Sequence, residues 1–382
     1  MLGTYLRLSG WFLYDDAVGF VETSRKILDG SLKIYSIKWG GPPDYLPAYL
    51  YPPLFALIIS PVVVITDLLK IPELAPPLIG MPILLFDILA AYVVKRICNN
   101  LVANQQERSY YVATIELLII GIFKKVGFLS QQEGIMLFFL LLGFSTIVKH
   151  PFLGGFLLGL SFLTKQTSIF ALIPFACMLL ISKKDFNIHS FMKALVIFIV
   201  TVVTIFTPFI LANIECQQEY PNCNFYDTFI GAEQRRRILN ENVWKLLDWL
   251  GKALLISDGY DTYYNMLRSI ANPVMLSLIL ILTPFLIIKR RPGINSSQMY
   301  KLIAGLLFLQ LFFSKWVGRH YYIVPFSMLL LADYISSAHI RTRTVILLTS
   351  FILLHNMPWN PITGLILIVM LFISGTYLIS HT

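Results

Sequence analysis

The stretch FLGGFLLGLSFLTKQTSIFALIPFACMLLIS, residues 152–182, decides the fold. It carries a single charged side chain, Lys165. Two short apolar runs, 152–164 and 167–182, meet at Lys165-Gln166. A full bilayer crossing needs about 20 apolar residues. A polar pair between two such runs is tolerable where it turns inside a water-filled cavity of a helical membrane protein.

The same kind of run recurs on both sides of this stretch. Spans are expected over 77–97, 109–127, 131–148, 190–212, 271–289, 299–314, 321–338, 343–356 and 361–379. With the two central runs, the pattern predicts an all-α, multi-pass membrane protein of about 11 transmembrane helices. Composition agrees. Hydrophobic residues make up 57% of the 382 and charged residues 13%, about half the charged share of soluble domains. Mean hydropathy is +0.71. The chain reads as one integral membrane domain, 1–382, with no soluble module at either end.

The net charge of +9 follows from loop lysines and arginines and points to the lipid bilayer as partner, with no nucleic acid. Lys95, Arg96, Arg108, Lys149, Lys183, Lys184, Lys193, Lys289, Arg290, Arg291, Lys301, Arg341 and Arg343 fall on one side of the predicted topology, which is expected to be cytoplasmic. The other side holds a first outer loop, 14–76, and a long outer loop, 213–270. YPPLFALIISPVVVITDLL (51–69) has the hydropathy of a span, but counting it as one inverts every later helix. Pro52, Pro53 and Pro61 also interrupt it, so it is expected to be interfacial or re-entrant. Two amphipathic helices are expected in the outer loops, at 17–29, stopped by Gly30, and at 241–256. Six scattered His and four Cys give no zinc pattern. Cys216 and Cys223 share a loop and can pair in an oxidising compartment.

Charged groups that could do chemistry share the outer side. Asp15 and Asp16 are adjacent carboxylates at the start of the first amphipathic helix. Capping is one explanation; a general base or a metal ligand is the other. Glu133 opens the 131–148 span, either as a carboxylate at a positive helix end or as an acid facing Asp15-Asp16 across a cavity. Asp87 is an intramembrane carboxylate, read as structural and in need of a partner. Lys165-Gln166 and Arg319-His320 form a cationic set. Snorkelling or headgroup contact explains them as readily as function does, although Arg319, His320 and Tyr321 at a helix start suit a phosphate. Tyr51, in YLPAYLYPPLFAL, belongs to a rigid interfacial loop or to an aromatic platform for a sugar ring.

Together these stretches resemble the GT-C superfamily of membrane glycosyltransferases. YDDAVGFVETSRKILDG (14–30) looks like its first-loop acidic motif and the helix that follows. YLYPPLFAL (49–57) looks like the Tyr-Pro-Pro-Leu element of dolichyl-phosphate-glucose-dependent and mannosyltransferase-like members. LLGLSFLTKQTSIFALIPF (157–175) is similar to their Lys-Gln element, and GRHYYIVPF (318–326) to their late His-Tyr element. GFLSQQEGI (127–135) is a looser match to an acidic turn, with Glu133 where Asp is usual.

The resemblance implies transfer of mannose or glucose, with inversion, from a polyprenyl-phosphate donor to a lipid-linked glycan, protein or lipid acceptor. It implies Asp15 or Asp16 as base, and Arg319 and His320 holding the donor phosphate. Glu133, Lys165, Gln166, Tyr321 and Tyr51 would line the substrate site. Some members use Mg²⁺ or Mn²⁺, for which Asp15 and Asp16 are the candidate ligands. The membrane would be a prokaryotic plasma membrane or, in a eukaryote, the endoplasmic reticulum. The family has a transmembrane helix ahead of the acidic motif, and residues 1–13 are too short to supply it. The first helix is therefore expected to be absent here. A multi-pass transporter or lipid flippase is the alternative, and it predicts matching interrupted helices in two halves, which the sequence does not show.

Overall fold

The computed structural model of the chain describes residues 14–36, 38–39, 46–47, 51–102, 106–124, 131–181, 187–213, 242–254, 259–314, 319–337, 340–356 and 361–381. These are helical apart from turns and one antiparallel pairing of Lys38–Trp39 with Leu46–Pro47. In chain order the helices are α1 (Tyr14–Leu28), α2 (Leu54–Leu68), α3 (Gly80–Leu101), α4 (Gln106–Lys124), α5 (Glu133–Thr146), α6 (Pro151–Thr164) and α7 (Ile169–Ile181). There follow α8 (Ile188–Ala212), α9 (Val243–Leu254), α10 (Tyr260–Arg290), α11 (Ser297–Phe313), α12 (Ile323–Ser337), α13 (Thr342–Asn356) and α14 (Pro361–Ser380).

Four helical stretches, Pro72–Leu101, Ile188–Ala212, Tyr260–Arg290 and Ile362–Ser380, are long and apolar enough to cross a membrane. Others, among them Glu133–Thr146 and Pro151–Thr164, are equally apolar but shorter. Each of the eleven expected spans coincides with a helix. One boundary moves substantially: α10 begins at Tyr260, not at 271. Hydropathy marks where the apolar run starts, whereas the backbone helix extends back through polar, amphipathic residues.

The chain forms two compact units, Met1–Val93 with Lys124–Ser168 and Met192–Glu233, and Val94–Phe123 with Ile169–Phe191 and Gln234–Thr382. In the first unit α1 packs on α2. Ala17, Phe20 and Val21 are buried while Glu22 faces out, as the amphipathic spacing predicts. The Ser24 and Ser60 hydroxyls pair across the two helices at 2.9 Å. Helix α1 closes with a Schellman motif: Gly30, at φ 80, donates to Ile27, and Ser31 donates to Lys26. Only a residue without Cβ takes that backbone cheaply.

Helices α5 and α6 form a close hairpin in the same unit. A Cβ added to Gly154 would lie 2.5 Å from Ile147, and one added to Gly143 2.5 Å from Leu158. Ser161 ties the pair by donating to the Met136 carbonyl at 3.0 Å. Such small-residue contacts drive helix pairing in membranes, where hydrophobicity alone does not.

The second unit has a densely packed aromatic centre on α11, α12 and α13. The rings of Phe308 and Phe326 meet edge to face at 5.3 Å, and Tyr322 and Phe351 lie 5.0 Å apart. Gly305 of α11 and Gly375 of α14 allow those two backbones to approach closely. Helix α9, expected at 241–256, spans Val243–Leu254 and buries Trp244 against Leu267 and Ala271 of α10. The Trp244 indole donates to the Phe313 carbonyl at 2.6 Å.

Candidate functional site

In the first unit the candidate site is built at two helix ends. Helix α6 stops at Thr164, and Lys165 adopts an extended backbone (φ −153, ψ 120) before the 3-10 turn Gln166–Ser168. Lys165 is thus the break residue between the two short apolar runs. Its ammonium forms a direct ion pair and hydrogen bond with Glu133, the first residue of α5. Both side chains are 1% exposed. Glu133 therefore faces both the positive end of its own helix and a buried lysine. Lys165 is an ion-pair partner of Glu133; the expectation that Glu133 faces Asp15-Asp16 across a cavity rests on side chains outside the described residues.

Burying two charges costs several kcal/mol each before their attraction is counted. The surroundings offset part of that cost. The Tyr51 ring lies 5.4 Å from the Lys165 ammonium, a cation–π geometry. Tyr51 is itself fixed: its carbonyl accepts from the Tyr35 hydroxyl at 3.0 Å, and its ring meets Phe20 at 5.8 Å. Gln166 opens the 3-10 turn and is half-buried.

Asp87 belongs to this neighbourhood, which the sequence did not reveal. Its carboxylate is buried on α3, and a Cβ built on Gly134 would fall 1.7 Å from its Oδ1. The missing side chain of Gly134 is what lets Asp87 reach the first turn of α5. The signal was present as the Glu-Gly pair at a helix start, but nothing in the sequence links it to a residue on another helix.

Asp15 and Asp16 occupy the second and third positions of α1; they lie inside its first turn, not ahead of it. Their side chains, and with them the metal expectation, fall outside the described residues. One apolar cluster connects α1 to the pair. It contains Ala17, Phe20 and Val21 of α1, Phe55 of α2, Ile135, two residues after Glu133, and Leu163, two before Lys165, with Tyr51 packed against it. Among the described residues no three His, Cys, Asp or Glu side chains converge as a metal site.

The second unit holds the late motif. Arg319–Tyr322 is a 3-10 turn leading directly into α12. His320 is buried, 5% exposed, with its ring 4.6 Å from that of half-buried Tyr321. Tyr322 is fully buried against Phe123 and Phe351. The Arg319 side chain, Cys216, Cys223 and most of the 213–270 loop lie outside the described residues.

Away from these motifs, the second unit buries Asp248 of α9 among Lys245 (2.8 Å), Lys252 (3.4 Å) and the Tyr260 hydroxyl, which donates to it. Burial pushes the Asp248 carboxyl up, but hydrogen bonds from Lys245 and Tyr260 and the lysine charges outweigh it and hold the group below the ordinary carboxylate value.

Comparison with protein families gives one assignment: the profile of glycosyltransferase family 87 matches residues 49–314. Comparison with curated proteins and with solved structures gives no match.

Proposed function

The chain belongs to glycosyltransferase family 87, and from that premise we propose that it transfers mannose or glucose from a polyprenyl- or dolichyl-phosphate donor. The acceptor is a lipid-linked glycan, a protein or a lipid, and the chemistry occurs on the outer or lumenal face of a multi-pass, roughly eleven-span protein. One observation carries this reading. The helix bearing Asp15 and Asp16, the Tyr51 loop and the buried Glu133–Lys165 pair are joined by a single apolar cluster in one unit.

In the proposed reaction an acceptor hydroxyl attacks the anomeric carbon as Asp15 or Asp16 takes its proton. The bond from that carbon to the phosphate oxygen breaks with inversion, and the polyprenyl phosphate leaves with the electron pair. Arg319 and His320 stabilise the developing charge. Lys165 is neutralised by Glu133, so its role is to keep the end of α6 polar, with Gln166 and Tyr51 as the sugar-contacting residues of the first unit and Tyr321 as a substrate contact in the second. Asp15 and Asp16 are the residues that would hold Mg²⁺ or Mn²⁺, whose contribution when bound is charge neutralisation at the phosphate.

Purified protein incubated with defined polyprenyl-phosphate mannose or glucose, and membrane extract as acceptor, tests the reading. Replacing Asp15→Asn and Asp16→Asn together is expected to lower transfer by about 10²–10⁴-fold, the usual worth of a general base. Transfer that persists undiminished in that variant would sink the mechanism.

A further inference from the structure

A second charged locus lies in the second unit, at the opposite end of α12 from the Arg319–Tyr322 turn. The end of α10, the start of α11 and the start of α13 bring Arg290, Lys301, Arg341 and Arg343 around the C-terminal turn of α14. Arg290 donates to the Ser380 carbonyl at 2.9 Å, and Lys301 to the His381 carbonyl at 2.6 Å. Arg343 donates to the Tyr377 hydroxyl at 2.6 Å. The Lys301 ammonium interacts electrostatically with all three guanidiniums and with one carboxylate, Asp333.

The charges do not balance. Asp333 is 3% exposed and already committed: it accepts from the Arg341 backbone N–H at 3.1 Å and from the Thr344 hydroxyl, and the Arg341 Nε lies 3.8 Å away. The α14 carboxyl-terminal dipole offsets about half a charge. Among the described residues, four cations therefore face little more than one compensating charge. The hydrogen bonds of Arg290, Lys301 and Arg343 go to neutral oxygens, and the Arg290 Nε is buried with no hydrogen-bond acceptor among the described residues.

The flank beside the cluster is apolar. Phe285 and Ile288 of α10 and Phe372 and Ile373 of α14 are 59%, 58%, 47% and 57% exposed. Cations at helix ends beside exposed hydrocarbon fit a molecule with a phosphate at one end and acyl chains at the other. A soluble phosphate would leave that apolar flank unused.

We propose that Arg290, Lys301, Arg341 and Arg343 form a binding site for the headgroup of an anionic phospholipid, separate from the transferase motifs. Native mass spectrometry of the detergent-solubilised full chain provides the test. Phosphatidylglycerol and phosphatidylcholine of identical acyl chains, and inorganic phosphate, are titrated separately. The anionic lipid should be retained about tenfold more tightly than the zwitterionic one. The paired change Arg341→Gln and Arg343→Gln should remove most of that preference. Removing two lysines elsewhere, Lys149→Gln and Lys193→Gln, should leave it intact. If the paired variant does not fold, Arg343→Gln alone keeps the Asp333 contacts and should cost about threefold. Equal retention of both lipids, an equal loss in the lysine control, or binding of inorganic phosphate as tight as that of the lipid would each overturn the assignment.

Discussion

Both units bury a carboxylate beside lysine, with opposite access to water. Glu133 and Lys165 are each 1% exposed. Asp248 is as buried as Glu133, but its partners Lys245 and Lys252 are 17% and 52% exposed. In the first case neither charge can be rehydrated if the other is lost. In the second the lysines keep their water, and hydrogen bonds to the buried oxygens decide the stability. The same chemical pair is thus a deep, all-or-nothing contact in one unit and an adjustable clasp in the other.

Removing one member of the deep pair should give the largest effect. Lys165→Ala leaves Glu133 charged and buried, and should cost about 3–5 kcal/mol. Thermal unfolding in detergent measures it. Glu133→Gln combined with Lys165→Met should recover much of the loss, which a double-mutant cycle reads as coupling. If the single change is nearly neutral, the contrast between the units collapses.

A steric change at the same helix start should come next. Gly134→Ala places a methyl on the Asp87 carboxylate, and overpacking of this kind costs about 1–3 kcal/mol. Adding Asp87→Ala to that variant should restore part of the stability by making room. An unfolding midpoint equal to that of the parent protein would show that Asp87 does not abut α5.

The clasp should respond more mildly, and to pH. Tyr260→Phe removes one hydrogen bond to Asp248, worth about 1–2 kcal/mol near neutral pH. The folded Asp248 carboxyl sits below its unfolded value of about 3.9. Its contribution is therefore complete above about pH 4 and is lost as pH falls through the lower folded value. The gap between parent and variant should narrow on acidification. A gap that widens instead would mean that the folded carboxyl is raised, not lowered.

The smallest effect belongs to a pair in open water. Arg25 reaches Asp67 at 3.0 Å and Glu22 at 2.8 Å, with all three side chains substantially exposed. Arg25→Ala should cost less than about 1 kcal/mol, and that little should fade in high salt. Unfolding curves at low and high ionic strength separate this behaviour from that of Lys165, whose effect salt should barely touch.

The helices were legible because apolar runs and amphipathic spacing are local properties. Gly30 announced the end of α1, and Trp244 with its helical neighbours announced α9. Single residues of the candidate site were legible too, since Glu133 and Lys165 each stand out against apolar surroundings. Their pairing was not legible. They are 32 positions apart, and nothing local says that the start of α5 meets the end of α6. Asp248 was missed for the same reason: on a helical wheel it reads as a solvated acid, and the Tyr260 hydroxyl that donates to it lies twelve positions on. The Asp87–Gly134 approach depends on an absent side chain, and absence leaves no pattern. The contribution of Asp15, Asp16 and Arg319 still rests on their motifs.

The hairpin of α5 and α6 carries a consequence for biosynthesis. Each helix has 14 residues, well short of the roughly 20 that let a segment partition into a bilayer alone. Glu133 begins one helix and Lys165 ends the other, so both charges sit at the same, open end of the hairpin. Inserted separately, each helix would drag an uncompensated charge into hydrocarbon. Inserted together, they enter as a neutral couple with their small-residue seam already closed. On the proposed multi-pass reading the two helices are one unit of insertion, and a glycosylation-mapping assay of nascent chains should find α5 poorly integrated until Lys165 has been synthesised.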